Sequence, residues 1–369
     1  MNFQLKYASS TSPDPIQAVA DFANKISHED INTVIFFCSP DYDLDILGRE
    51  LKKSFSCTCI GCTTSGQIGT QGFQHTGLVG LGLNRNFSAH TFTIHPLENY
   101  AEIAADIADA IHRDSQDRPT LHRFSLLLVD GLSMIEERLV ASLYQQIGNI
   151  PIIGGSAGDD LRFEKAHVYD GDGHFISNAA IFAVIETKST VVTFKVQHFK
   201  HSEIELVITG ADPEKRLIFE INGEPAALAY AEALGLTVSE LTPTVFSSNP
   251  LVLSLGDDPY VRSIQKWNAD FSLTCYCAIE EGLIVSIGKA EDPVQTLEQA
   301  FNKVKETLAE PVIIGCDCIL RRIQFEQEGL DQQIANIMVK NRVVGFSTYG
   351  EQYNGLHVNQ TFTGIAIGG

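Results

Sequence analysis

Apolar residues follow two rhythms along this chain. Short unbroken runs, TVIFFCS from Thr33, FSLLLVD from Phe124 and PVIIGCDC from Pro311, are apolar on both faces and read as buried strands. Other stretches have the i, i+3/i+4 period of a helix with one buried face. Leu139, Val140, Leu143, Tyr144 and Ile147 form one such stripe, and Ile16, Val19, Ala20, Ala23 and Ile26 another. Ile103, Ile107 and Ile111 make a third, and Val294, Leu297, Phe301, Val304 and Leu308 a fourth.

Set in order, these elements repeat. Strand, helix (Leu44 to Phe55) and strand CTCIG lead into GCTTSGQIG at Gly61. The same order leads into GGSAGDDL at Gly154, and a third time, through a helix with Ile334, Ile337 and Met338, into GFSTYGEQ at Gly345. A further strand follows each turn: TGLVGLGL from Thr76, NAAIFAVIE from Asn178 and TGIAIGG from Thr363. Three strand-helix-strand-turn-strand units predict an α/β, mixed α+β fold whose mixed sheets are covered by helices. Two packed domains are expected, 1–210 with two units and 211–369 with the third, divided at the turn-rich GADPEKR.

The last unit carries the most polar chemistry. Asn354-Gly355 is a strong hairpin signal, so LHVNQTFTG is expected to pair back onto STYGEQY. Alternation places His357, Asn359, Thr361 and Thr363 on one strand face. Together with Ser347, Tyr349 and Glu351 they could wall a pocket, although a lone His on such a face is commonly a hydrogen-bonded structural one. Arg321 and Arg322 could meet a ligand carboxylate or simply cap the surface, and His198 and His201 are too far out of phase to share a strand face. The Gly-Ser/Thr turns either close tight loops or line a ligand site with backbone N–H groups. They lack the Lys of a phosphate loop and do not open a helix as a dinucleotide fingerprint does. No catalytic motif has persuasive context, so the chain is not expected to be an enzyme.

Charge and cysteines narrow the partners. Among 369 residues 26 basic side chains face 46 acidic ones, a formal charge of −20, which argues against nucleic acid or an anionic membrane as partner. No apolar run reaches the roughly 18 residues of a bilayer span. The N-terminus shows no signal-peptide pattern, so a cytoplasmic protein is expected. Eight cysteines include three C-x-C pairs, Cys57/Cys59, Cys275/Cys277 and Cys316/Cys318, in strand-like segments. Buried, reduced thiols are the expectation, ahead of a metal or redox cluster.

GCTTSGQI, GGSAGDD, INGEPA from Ile221, IIGCDCILRR and GFSTYGEQYNGLHVNQTFTG together resemble the FIST family, over nearly the whole chain from Thr33 to Gly369. The resemblance implies a sensory input module with FIST N and FIST C regions. As a stand-alone chain it is similar to the NosP subgroup, which implies non-covalent haem b, nitric oxide sensing, and a separate histidine kinase or cyclic-di-GMP enzyme as partner. It leaves a homodimer open. His357 is then the first choice of axial ligand, with Tyr349, Asn359, Arg321 and Ser347 around the cofactor. The competing expectations are a sensor of a small polar metabolite such as an amino acid, a ligand-free interaction scaffold, and an enzyme with a reactive Cys62.

Overall fold

The computed structural model describes residues 5–26, 30–115, 121–256 and 258–368. Each apolar run becomes the first strand of a unit: Ile31–Cys38, His122–Asp130 and Val312–Cys318. Each runs parallel to the strand after its helices, Thr58–Thr63, Ile152–Ala157 or Val343–Thr348. On its other side each pairs antiparallel with the unit's last strand, Leu78–Asn84, Ala180–Thr187 or Phe362–Gly368. An outer strand completes that edge: Lys6–Ser10, Phe87–Ile94 or Thr190–Val196.

The other edge is filled by a different unit. The hairpin Gln67–Gly69/Gly72–Gln74 of the first unit pairs with Val343–Thr348 of the third. The hairpin Val168–Tyr169/Phe175–Ile176 of the second pairs with Thr58–Thr63 of the first. The hairpin Glu351–Tyr353/Leu356–Val358 of the third pairs with Ile152–Ala157 of the second. The result is three six-stranded sheets of the same strand order, linked in a closed cycle. The Asn354-Gly355 hairpin forms as expected, with Asn354 at φ 54°. The strand beyond it does not run on. After Val358 the chain leaves the second sheet and joins the third at Phe362, because His357 and Thr363 serve different units.

The inner faces of the sheets share one core containing Ile35, Phe37, Leu126, Leu128, Ile314 and Phe346. Helices cover the outer faces: Pro15–Ile26 and Leu44–Ser54 on the first, Tyr100–Ser115 and Glu136–Ile147 on the second. Pro293–Thr307, Ile319–Glu328 and Asp331–Lys340 cover the third. Burial on both faces explains the unbroken apolar runs. In Pro15–Ile26 the buried side chains are Ala18, Val19, Phe22 and Ile26, whereas Ile16, which belongs to the sequence stripe, is 52% exposed. Phe22, the bulkiest apolar residue, sets the rotation of that helix. No helix among the described residues is long and apolar enough to cross a membrane.

Residues 199–290 form an insert in the third unit, with an eight-stranded sheet and its own core around Ile208, Ile218, Tyr230 and Leu251. Gly210, the expected boundary, lies inside strand Phe199–Asp212, where the register to Leu217–Ile221 shifts at a bulge. A glycine at a bulge and a tight turn look like a linker in sequence.

The glycine of each repeated phrase sits within the second strand, where there is no room for a side chain. A Cβ on Gly154 would lie 1.8 Å from the Leu127 oxygen, and one on Gly345 1.8 Å from the Gly315 oxygen. Gly345→Ala is therefore expected to lower stability by about 3 kcal/mol. Gly210→Ala, whose Cβ would make an ordinary 3.4 Å contact with Glu220, should stay within about 0.5 kcal/mol. Urea midpoints of the two variants at unchanged m test this pair.

Candidate functional site

The three Gly-rich turns meet one another. The Ser65 N–H donates to the Ser347 oxygen at 3.1 Å and the Ser347 N–H to the Gly66 oxygen at 2.8 Å. Ser156 N–H donates to Gly350 oxygen at 2.8 Å, Tyr349 N–H to Ser156 oxygen at 3.2 Å, and Gly158 N–H to Thr63 oxygen at 3.1 Å. These turns spend backbone donors on each other, which gives the tight-turn reading its physical basis.

Beside them the second turn continues into a flap, residues 159–165, organised by Asp159. Its carboxylate accepts the N–H groups of Phe163, Glu164 and Lys165 at 2.9, 2.6 and 2.9 Å, and the Tyr349 hydroxyl at 2.5 Å. Burial pushes the Asp159 carboxyl up, but the Tyr349 hydroxyl and the three N–H groups outweigh it and hold the group below its usual value. The Leu161 N–H donates back to the Tyr349 hydroxyl at 2.7 Å, and the Phe163 ring stacks on Tyr349 at 4.9 Å. Asp160, Leu161 and Phe163 all have positive φ, and Leu161 and Phe163 are 41% and 45% exposed. An apolar flap held in left-handed backbone is a strained device.

Under that flap lies a cavity of about 380 Å³. Leu132 and Met134 of the second unit form one wall, Ile319, Leu320 and Ile323 of the third another, and Arg216, Gln265 and Tyr276 of the insert a third. Tyr349 and Asn359 close it from the last repeat. The volume falls in the lower range of small-molecule sites, and the lining is mainly apolar with a few polar groups. Arg216 ties the walls together: its Nη2 meets Glu136 at 2.6 Å and Glu137 at 2.9 Å, and its Nη1 donates to the Tyr276 oxygen at 3.0 Å. Glu137 also accepts the Ala278 N–H at 2.6 Å.

The FIST N domain pattern matches residues 32–224, and the FIST C domain pattern matches residues 226–354. The chain belongs to the FIST family. FIST domains point to a sensory role in signal transduction. The chain is also similar to the uncharacterized protein MJ1623 of Methanocaldococcus jannaschii, 22% identical over 350 residues that cover 83% of this chain and 67% of that one.

Within this FIST fold, the expected site residues divide. Tyr349 and Asn359 line the cavity. His357 stands behind them, buried; its Nδ1 faces Gln352 Oε1 at 3.2 Å, and its Nε2 has no partner among the described residues. Burial lowers the His357 pKa, against the opposing pull of Glu137 and Glu136. A Cβ on Gly350 would fall 2.7 Å from His357 Nε2, so the turn backbone covers that nitrogen. Arg321 and Ser347 are fully buried in the third unit, off the cavity wall. Arg321 pairs with Asp317 at 2.6 Å and reaches His198 Nδ1 at 3.1 Å. Burial and Arg321 lower the His198 pKa to about 3, so that ring stays neutral. His201 lies between Ser254 and Ser286 at 2.7 and 2.8 Å. Cys62 is buried, and burial pushes its thiol up, so it is no activated nucleophile.

A haem needs an axial donor facing an open slot. The cavity wall offers Tyr349, already committed to Asp159, with Tyr276, Met134, Cys275 and Cys318, and no histidine among the described residues. Nor do three His, Cys, Asp or Glu side chains converge to hold an ion among the described residues. The donor set of this cavity does not fit haem through His357.

The flap and the Arg216 cluster escaped sequence reading. Leu161 and Phe163 look like ordinary loop residues, and only their spacing from the GDD motif could have marked them. Tyr349→Phe should cost about 1–2 kcal/mol and speed amide exchange across 159–165 while leaving exchange in the insert unchanged. Because the Asp159 pKa is depressed in the folded state, its stabilisation is present above the ordinary value of 3.8 and fades as pH falls through the lower folded value. Asp159→Asn should flatten that acid limb in urea titrations between pH 5 and roughly 2.

Proposed function

We propose that this FIST chain is a cytoplasmic sensory module that takes a small organic molecule in the cavity beneath the 159–165 flap. Its occupancy is passed to a separate histidine kinase or cyclic-di-GMP enzyme. The observation that carries the reading is the cavity itself, walled by the second unit, the third unit and the insert, and roofed by two exposed apolar side chains on strained backbone. A ligand there touches all three parts at once, so it can bias how they sit against one another. The wall calls for an apolar body with one or two polar groups, and amino acids with apolar side chains are the first class to test.

Thermal unfolding against such a panel is the direct test. Saturation at a hundredfold Kd adds about 2.7 kcal/mol, enough to raise Tm measurably. Ile323→Trp, which fills the cavity, should abolish the rise without abolishing folding; a rise that survives in that variant would place the ligand elsewhere.

Haem with nitric oxide is the second reading, and the feature in its favour is the unpartnered, buried Nε2 of His357. The absorption spectrum after hemin addition, desalting, reduction and nitric oxide separates the two. The cavity reading expects no stoichiometric Soret band; a retained band that is lost in His357→Ala would install haem in its place.

A further inference from the structure

Seven of the eight thiols are buried; Cys57 alone is partly exposed. It lies where helix Leu44–Ser54 ends and the chain bends into strand Thr58–Thr63. Two residues on, Cys59 points into the apolar layer with Phe36 and Tyr169. The two residues adjoin: the Cys59 thiol donates to the Cys57 carbonyl oxygen at 3.6 Å, which turns its sulfur back toward Cys57. A half-open thiol backed by a buried one is the arrangement of an attacking and a resolving sulfur. We propose that Cys57 and Cys59 form a reversible thiol–disulfide site that reacts with small disulfides such as glutathione disulfide.

The Cys57 thiolate attacks one sulfur of the reagent, breaking its S–S bond and releasing one thiolate. The Cys59 thiol then gives its proton to the departing thiolate and attacks the Cys57 sulfur, expelling the second thiolate, which takes up the proton that Cys57 released on ionising. The chain loses two hydrogens and two electrons, and one disulfide is reduced to two thiols. The asymmetry suits these roles. The neighbouring Cys59 thiol lowers the Cys57 pKa against the effect of burial, while the proximity of Cys57 and burial raise that of Cys59. A bridge between residues two apart closes a small ring, so it is strained and readily reduced again. The site lies at a seam between units: a Cβ on Gly171 of the second unit's exchanged hairpin would lie 3.9 Å from the Cys59 oxygen, and Lys52 on the adjoining helix reaches the Gly171 oxygen at 3.1 Å.

The test uses the native full-length chain at pH 7. Limiting iodoacetamide followed by peptide mapping should alkylate Cys57 at least about tenfold faster than any other thiol. After glutathione disulfide and acid quenching, the tryptic peptide 54–85 should be lighter by two hydrogens, with fragment ions placing the bridge at Cys57–Cys59 and leaving Cys62 free. Cys59→Ser should stop at a glutathione adduct on Cys57, and Cys57→Ser should abolish reaction at Cys59. Equal alkylation of Cys57 and the buried thiols, or a wild-type chain that halts at the mixed adduct, overturns the proposal. The labelling rates come from the wild-type chain, so they decide even if a variant folds poorly.

Discussion

The exchange of hairpins is the constraint on which this architecture rests. Each second strand ends in a turn whose hydrogen bonds are completed by another unit, and each sheet edge is completed by another unit's hairpin. A unit alone would leave an open strand edge and an uncovered inner face. The cycle also explains the glycines. Gly154 and Gly345 let neighbouring strands approach without a side chain between them, so the turns that follow can reach the centre.

Around that apolar centre the buried ionisable side chains sit in paired or hydrogen-bonded groups. Asp317 and Arg321 pair in the third unit, while Glu351 takes the Thr348 hydroxyl and the Thr361 N–H, the latter at 3.2 Å. Burial holds Glu351 well above the usual carboxylate range. Arg216 joins the insert to the first turn of helix Glu136–Ile147. Pairs taken out of water gain little net stability, but they penalise any packing that separates the partners. The use of the Arg216 pairs is positional: they hold the insert against the second unit at the cavity wall.

Sequence reading and structure part company where local pattern stops carrying information. Helix Ile319–Glu328 buries Ile319, Arg321, Arg322, Gln324 and Phe325, so its inner face is half polar and hides the helical period. Arg321 and Ser347 are attractive ligand contacts in a motif, yet Arg321 in the covering helix and Ser347 in strand Val343–Thr348 are both buried off the cavity wall. His357 keeps its expected place in the hairpin, but the Gly350 turn stands over its free nitrogen.

What the sequence determined by itself was the inventory: three related units, the mixed α/β class, and the last repeat as a concentration of polar groups. Those follow from period and turn chemistry, which act over a few residues. The tertiary structure alone decided that the hairpins change places, that residues 199–290 are an insert in the third unit, and that a cavity opens between the units. Such features depend on pairings such as Phe346 with Gln67 and Glu351 with Gly155, between strands far apart in the chain. An edge strand carries the same alternation whichever partner completes it, so only the packed whole selects the partner.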